Sequence, residues 1–149
     1  MNISGKIKEL ERLKKEVPNQ AKVISKKWKK EILDYVRIKQ LYEKGINGDG
    51  ESLKEYANFT KAEKFLKGQP TDRTTLLDTG SFFAYFNLKF IDDETIDIFS
   101  TDSKTPKLIE KYKKSIFQLT VKNNEIVNEE IFLKNLIKWL LNTKTFTQI

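Results

Sequence analysis

The chain reads as an α+β fold, with long N-terminal helices packed on a small antiparallel β-hairpin and further C-terminal helices after it. Two observations predict this. Apolar residues recur at three- and four-residue spacing from Ala21 to Tyr42, and a second apolar cluster runs from Ile131 to Leu141, as in amphipathic helices. Between them, residues 82–90 alternate with period two, and Ile96 and Ile98 follow an Asp92-Asp93 turn, as in a hairpin. The 149 residues suit one compact domain, 19–149, preceded by a helical arm, 1–18.

In chain order, Ser4 to Val17 predicts a short charged helix with a thin stripe of Ile7, Leu10, Leu13 and Val17. Pro18 is expected to end it, and Asn19 to cap a second helix over residues 20–44. Lys22, Lys26, Lys29 and Lys30 lie on the polar surface of that helix, and Gly45 is placed to close it. Asn47 to Gly50 is turn chemistry. Thr60 and Glu63 form a T-x-x-E capping box for a helix over 61–67, ended by Gly68. Phe82, Ala84, Phe86, Leu88 and Phe90 then take one face of a strand, with Phe83, Tyr85, Asn87 and Lys89 on the other. Phe83 and Tyr85 are too apolar for a freely solvated face, which marks them for cover by a helix or by a neighbouring subunit. After the hairpin, Thr105-Pro106 starts a helix. Ser115–Thr120 is a short apolar linker or strand, and Asn128-Glu129-Glu130 opens the last helix.

Composition removes several chemistries. With no histidine and no cysteine, the usual zinc sites, thiol nucleophiles, disulfides and imidazole acid–base groups are excluded. No cofactor is expected. The sequence carries no apolar run long enough to span a membrane and no signal peptide, so synthesis in a cytoplasm and no membrane partner are expected. The net charge of +7 is unevenly spread: residues 1–44 hold 13 basic against 6 acidic side chains, and the remainder is balanced at 15 of each. Residues 45–103 are net acidic, with 6 basic and 11 acidic side chains. Such polarity suits partners of opposite sign, whether nucleic acid or an adjoining subunit.

Leu77-Asp78-Thr79-Gly80-Ser81 invites comparison with aspartic proteases, whose two carboxylates share a proton. Those enzymes are nearly all β, and this chain is mostly helical. The structural reading is a turn tied down by Asp78 and Thr79, with Gly80 supplying a backbone angle that other residues resist. A calcium loop beginning at Asn47 fails because Ser52 and Asn58 stand where glycine and glutamate are required. No metal site and no catalytic set emerge, so a non-enzymatic protein is expected.

Several short motifs together carry a resemblance. They are Asn47–Gly50, Leu53 with Tyr56, Thr60 with Lys64 and Gly68, and Leu76 with Asp78, Thr79 and Gly80 leading into a strand. Leu108 to Thr120 adds a segment in which a Tyr-Gly often precedes an Ile-Phe-Gly-Leu; Lys113 and Gln118 stand here in place of the glycines. Over about residues 35–120 the chain resembles small virion-morphogenesis proteins of tailed bacteriophages, the tail-completion and head–tail joining group. That resemblance implies a virion structural protein, forming a homo-oligomeric ring at the head–tail junction or tail end with other virion proteins as partners. The alternative is a small basic DNA-binding or packaging-associated protein, whose Lys22, Lys26, Lys29 and Lys30 would contact phosphates without sequence preference.

Overall fold

A computed structural model describes residues 3–143; residues 1–2 and 144–149, the outer ends of the two expected segments, lie outside the described residues. The architecture is α+β, a bundle of helices around one two-stranded antiparallel sheet.

Helix α1 spans Ile3–Lys27 and runs through Pro18, so the break expected there does not occur. Proline removes one backbone hydrogen bond, at a cost of about 3 kcal/mol in a helix interior. Packing on both sides of it outweighs that cost, since Leu13 before and Ile24 and Ser25 after are all buried. The break falls instead at Trp28, which leaves helical geometry at φ −104° and ψ 18°. Helix α2, Lys29–Asp34, continues as π-helical turns over Tyr35–Tyr42. Gly45 closes it as expected, at φ +62°. Arg73 assists by donating from Nε to the Tyr42 carbonyl at 2.8 Å, capping one of the last carbonyls.

The turn at Asn47–Gly50 forms. The Asn47 side-chain oxygen accepts from the backbone N–H groups of Asp49 and Glu51, both at 3.0 Å. Helix α3 is Asn58–Leu66, with Ala57 in the capping position. The Thr60–Glu63 capping box is therefore absent, because Thr60 already lies inside the first turn. Its end matches the expectation: Gly68 at φ +67° donates to the Phe65 carbonyl, and Gln69 N–H reaches the Lys64 carbonyl.

The aromatic segment divides in two. Ser81–Ala84 forms a single helical turn, α4, and strand β1 starts only at Phe86, running to Phe90. The helical turn lets the adjacent Phe82 and Phe83 both face inward, which a strand forbids. Strand β2, Ile96–Ser100, pairs antiparallel in the register Phe86↔Ser100 to Phe90↔Ile96. The turn between them is local side-chain chemistry: Asp92 Oδ1 accepts from Glu94 N–H at 2.8 Å and Thr95 N–H at 2.7 Å.

Helix α5, Thr105–Tyr112, begins with Pro106 in its first turn, as the sequence indicates. Ser115–Phe117 forms a 3₁₀ turn with Lys114 rather than a strand. The final helical segment starts earlier than Asn128. Thr120 caps α6, Val121–Ile126, by accepting from Asn123 N–H. The segment continues as π-helical turns over Val127–Leu133 and as α7, Lys134–Leu141. Of the apolar cluster from Ile131 to Leu141, Ile131 is buried and Leu136 and Leu140 are half-buried, whereas Leu133, Ile137 and Leu141 are exposed.

The main core gathers Leu33 of α2, Val36 and Leu41 of its π-helical continuation (together the α2 rod), Phe82, Phe83 and Phe86, and Ile116 and Phe117. Its rings meet at 5.1 to 6.0 Å between centroids, Phe82 and Phe86 edge to face. A smaller core joins Ile24 and Ile32 to Val127 and Ile131, tying the long amino-terminal rod to the C-terminal helical segment.

Candidate functional site

The Asp78–Gly80 turn links α3 to α4 at a cavity of about 160 Å³, which Lys64, Lys104 and Tyr112 also line. Gly80 sits at φ +88°, the left-handed conformation expected of it. Thr79 ties the turn through its hydroxyl, which accepts from Ser81 N–H at 3.4 Å. Asp78 behaves differently from expectation: its carboxylate meets Lys67 at 2.7 Å rather than the turn backbone. The hydrogen bond from Lys67, reinforced by the charges of Lys67, Lys64 and Lys104, outweighs desolvation and holds Asp78 below the usual carboxylate range. A proton-sharing dyad needs one carboxyl held high, so this environment runs opposite to protease chemistry. Among the described residues, Asp78 is also the one carboxylate in the cavity wall.

The four basic residues divide as well. Lys22 forms an ion pair with Asp93 at 3.3 Å and lies 5.8 Å from the centroid of Phe90, so it braces α1 against the hairpin. Lys30 pairs with Asp34 at 2.9 Å. Among the described residues, Lys26, exposed, and Lys29, half-buried, make no ion pair. Of the two aromatic residues marked for cover, Phe83 is covered by its own chain and belongs to the core, whereas Tyr85 remains exposed.

Sequence reasoning missed the most unusual surface. In α3 the usual orientation is inverted. Lys64 is buried at 6% exposure, while Phe59, Phe65 and Leu66 are 75%, 76% and 84% exposed. Lys64 earns its burial by donating from Nζ to the Leu77 carbonyl, with the Tyr56 ring 5.2 Å away. That donor bond fixes which side of α3 faces in, and so turns Phe59, Ala62, Phe65 and Leu66 outward together. Phe59, Ala62, Phe65 and Leu66 do stand three and four residues apart in the sequence, but nothing in that spacing gives the direction of the face.

Among the described residues no group of three or more acidic side chains could hold a metal ion, and no helix is long and apolar enough to cross a membrane. Compared with protein-family models, with curated proteins and with solved structures, the chain matches none.

Proposed function

We propose that the chain is a non-enzymatic structural subunit of a tailed-phage virion, of the head–tail connector or tail-completion type, which assembles into a ring with copies of itself. The observation that carries this reading is the outward apolar face of α3. Two phenylalanines and a leucine on one short helix make a projecting patch of the kind that marks protein–protein contact. A ring requires head-to-tail contacts between different surfaces of one subunit. The acidic middle segment and the basic amino-terminal segment supply opposite electrostatic surfaces for them. Lys113 supports the resemblance: it adopts φ +69°, a glycine conformation, at the position where the family that the chain resembles often carries glycine. Gold-labelled antibody against the full chain tests the proposal on purified virions. Label confined to the head–tail junction or tail end is the expected result, and virions without label overturn it.

A second reading, contact with DNA, is favoured by Lys26 and Lys29, which make no ion pair among the described residues. It requires duplex binding that weakens steeply with salt. No binding at low salt removes it.

A further inference from the structure

The cavity beside the Asp78–Gly80 turn gathers hydrogen-bond donors that the fold itself does not use. Lys64 of α3 lines it and is buried. Its ammonium donates only to the Leu77 carbonyl, which leaves two N–H groups without an acceptor among the described residues. Tyr112, at the end of α5, lines the same cavity and is buried too, and its hydroxyl makes no hydrogen bond among the described residues. Lys104 also lines it, exposed and in no ion pair among the described residues, so it marks the side that opens to solvent. The Asp78 carboxylate in the wall is already held by Lys67 at 2.7 Å. Burial of an ammonium is unfavourable unless an anion pairs with it.

We propose that this cavity binds a small organic monocarboxylate, with the carboxylate on Lys64 and Tyr112 and the apolar body against Leu76, Leu77, Phe82 and Leu108. Self-assembly does not use this site, so either reading stands without the other. Three observations select the class of ligand. First, the unused groups are all donors, so the ligand must bring acceptors, and a carboxylate offers about four lone-pair sites. Second, the ammonium groups of Lys64 and Lys104 against the carboxylate of Asp78 leave a single positive charge in the wall. A monoanion neutralises that charge, whereas a dianion overshoots it and meets Asp78 as a like charge. Third, the leucines and Phe82 make the rest of the wall apolar, which suits a hydrocarbon body better than a bare inorganic anion. The volume of about 160 Å³ limits that body to one ring, since a cavity of about 150 Å³ takes benzene.

Isothermal titration calorimetry of the full-length chain tests this with benzoate as the probe, and with benzyl alcohol and inorganic phosphate as controls. Benzoate should bind one to one with a Kd of about 1 mM or below, and at least about tenfold more tightly than either control. Lys64→Met keeps the stem of the side chain and removes its charge, and should weaken benzoate by about tenfold or more. Should that variant lose its fold, as judged by circular dichroism, Tyr112→Phe and Lys104→Met replace it. Each removes one polar group while leaving the ring or the stem, and each should weaken benzoate by about threefold. In a nitrogen-15 NMR titration of the wild type, benzoate should shift amides chiefly over residues 76–82 and 104–112. Absence of benzoate binding, or shifts centred elsewhere, overturns the proposal. Benzyl alcohol binding as tightly as benzoate makes the site an apolar hole, and phosphate binding as tightly makes it a charged patch; either overturns the monocarboxylate. Unchanged benzoate affinity in folded Lys64→Met, or in both replacement variants, overturns it as well.

Discussion

Gln40 and Gln118, 78 residues apart in sequence, are joined inside the protein: the Gln40 side-chain amide donates to the Gln118 carbonyl at 2.9 Å. The other end of the same amide accepts from Thr120 N–H at 2.8 Å and from Asn123 Nδ2 at 3.0 Å. One fully buried side chain therefore fastens the α2 rod to the start of the C-terminal helical segment.

Replacing Gln40 with leucine keeps the bulk but takes the buried amide away from the Gln118 carbonyl, the Thr120 N–H and the half-buried Asn123 amide. The expected loss of stability is about 3 kcal/mol, since each unsatisfied group costs about 1–3 kcal/mol and the site can relax in part. Urea unfolding of the two proteins measures it. A change below about 1 kcal/mol would mean that water enters and replaces the amide.

Lys113 holds φ +69° and ψ 169°, a region that side-chain-bearing residues occupy only under strain. Lys113→Gly should therefore raise stability, by about 1 kcal/mol after the greater freedom of the unfolded chain is deducted. Thermal unfolding measures the sign, and a lowered midpoint would contradict the strain assigned here.

The Asp-Thr-Gly turn separates backbone from charge. Asp78→Asn loses an exposed pair with Lys67 and should change stability by less than about 0.5 kcal/mol. Gly80→Ala forces a side chain into the left-handed region and should cost about 1 kcal/mol. The reverse ranking in denaturant titration would show that the carboxylate matters more than the turn.

Acid should destabilise the protein through three aspartates held below the usual range. At Asp34, burial pushes the value up, but hydrogen bonds from Lys30 and Arg37 outweigh it. At Asp78 the hydrogen bond from Lys67 dominates, and at Asp92 the backbone bond from Glu94. Depressed folded-state values stabilise fully above the unfolded carboxylate value of about 3.9, and that stability is lost as pH falls through the folded values. Urea midpoints should thus hold steady from neutral pH down to about pH 5 and fall below about pH 4. Midpoints that rise on acidification would contradict these assignments.

What the sequence made legible was local chemistry. Asp92, Asn47, Gly45, Gly68, Gly80 and Pro106 each act on backbone groups within a few residues, so their turns and helix ends could be read directly. Non-local packing hid the rest. Pro18 stays helical because Leu13 and Ile24 are buried on either side of it. The period-two pattern from Phe82 was contaminated by aromatics on both faces, and a helical turn that buries Phe82 and Phe83 together won over the strand. At the candidate contact surface, Gly68 correctly marked the end of α3, but its start was read from a capping box that does not form and its apolar side was not read at all. Its orientation depended on Lys64 reaching Leu77, a contact 13 residues away that no local pattern reveals.

Self-assembly is tested most directly by native mass spectrometry of the full-length chain across rising concentration. The expected result is one discrete multiple of the monomer mass, growing at the expense of monomer without a ladder of open-ended species, as ring closure requires. Monomer alone at every concentration would contradict the proposed function.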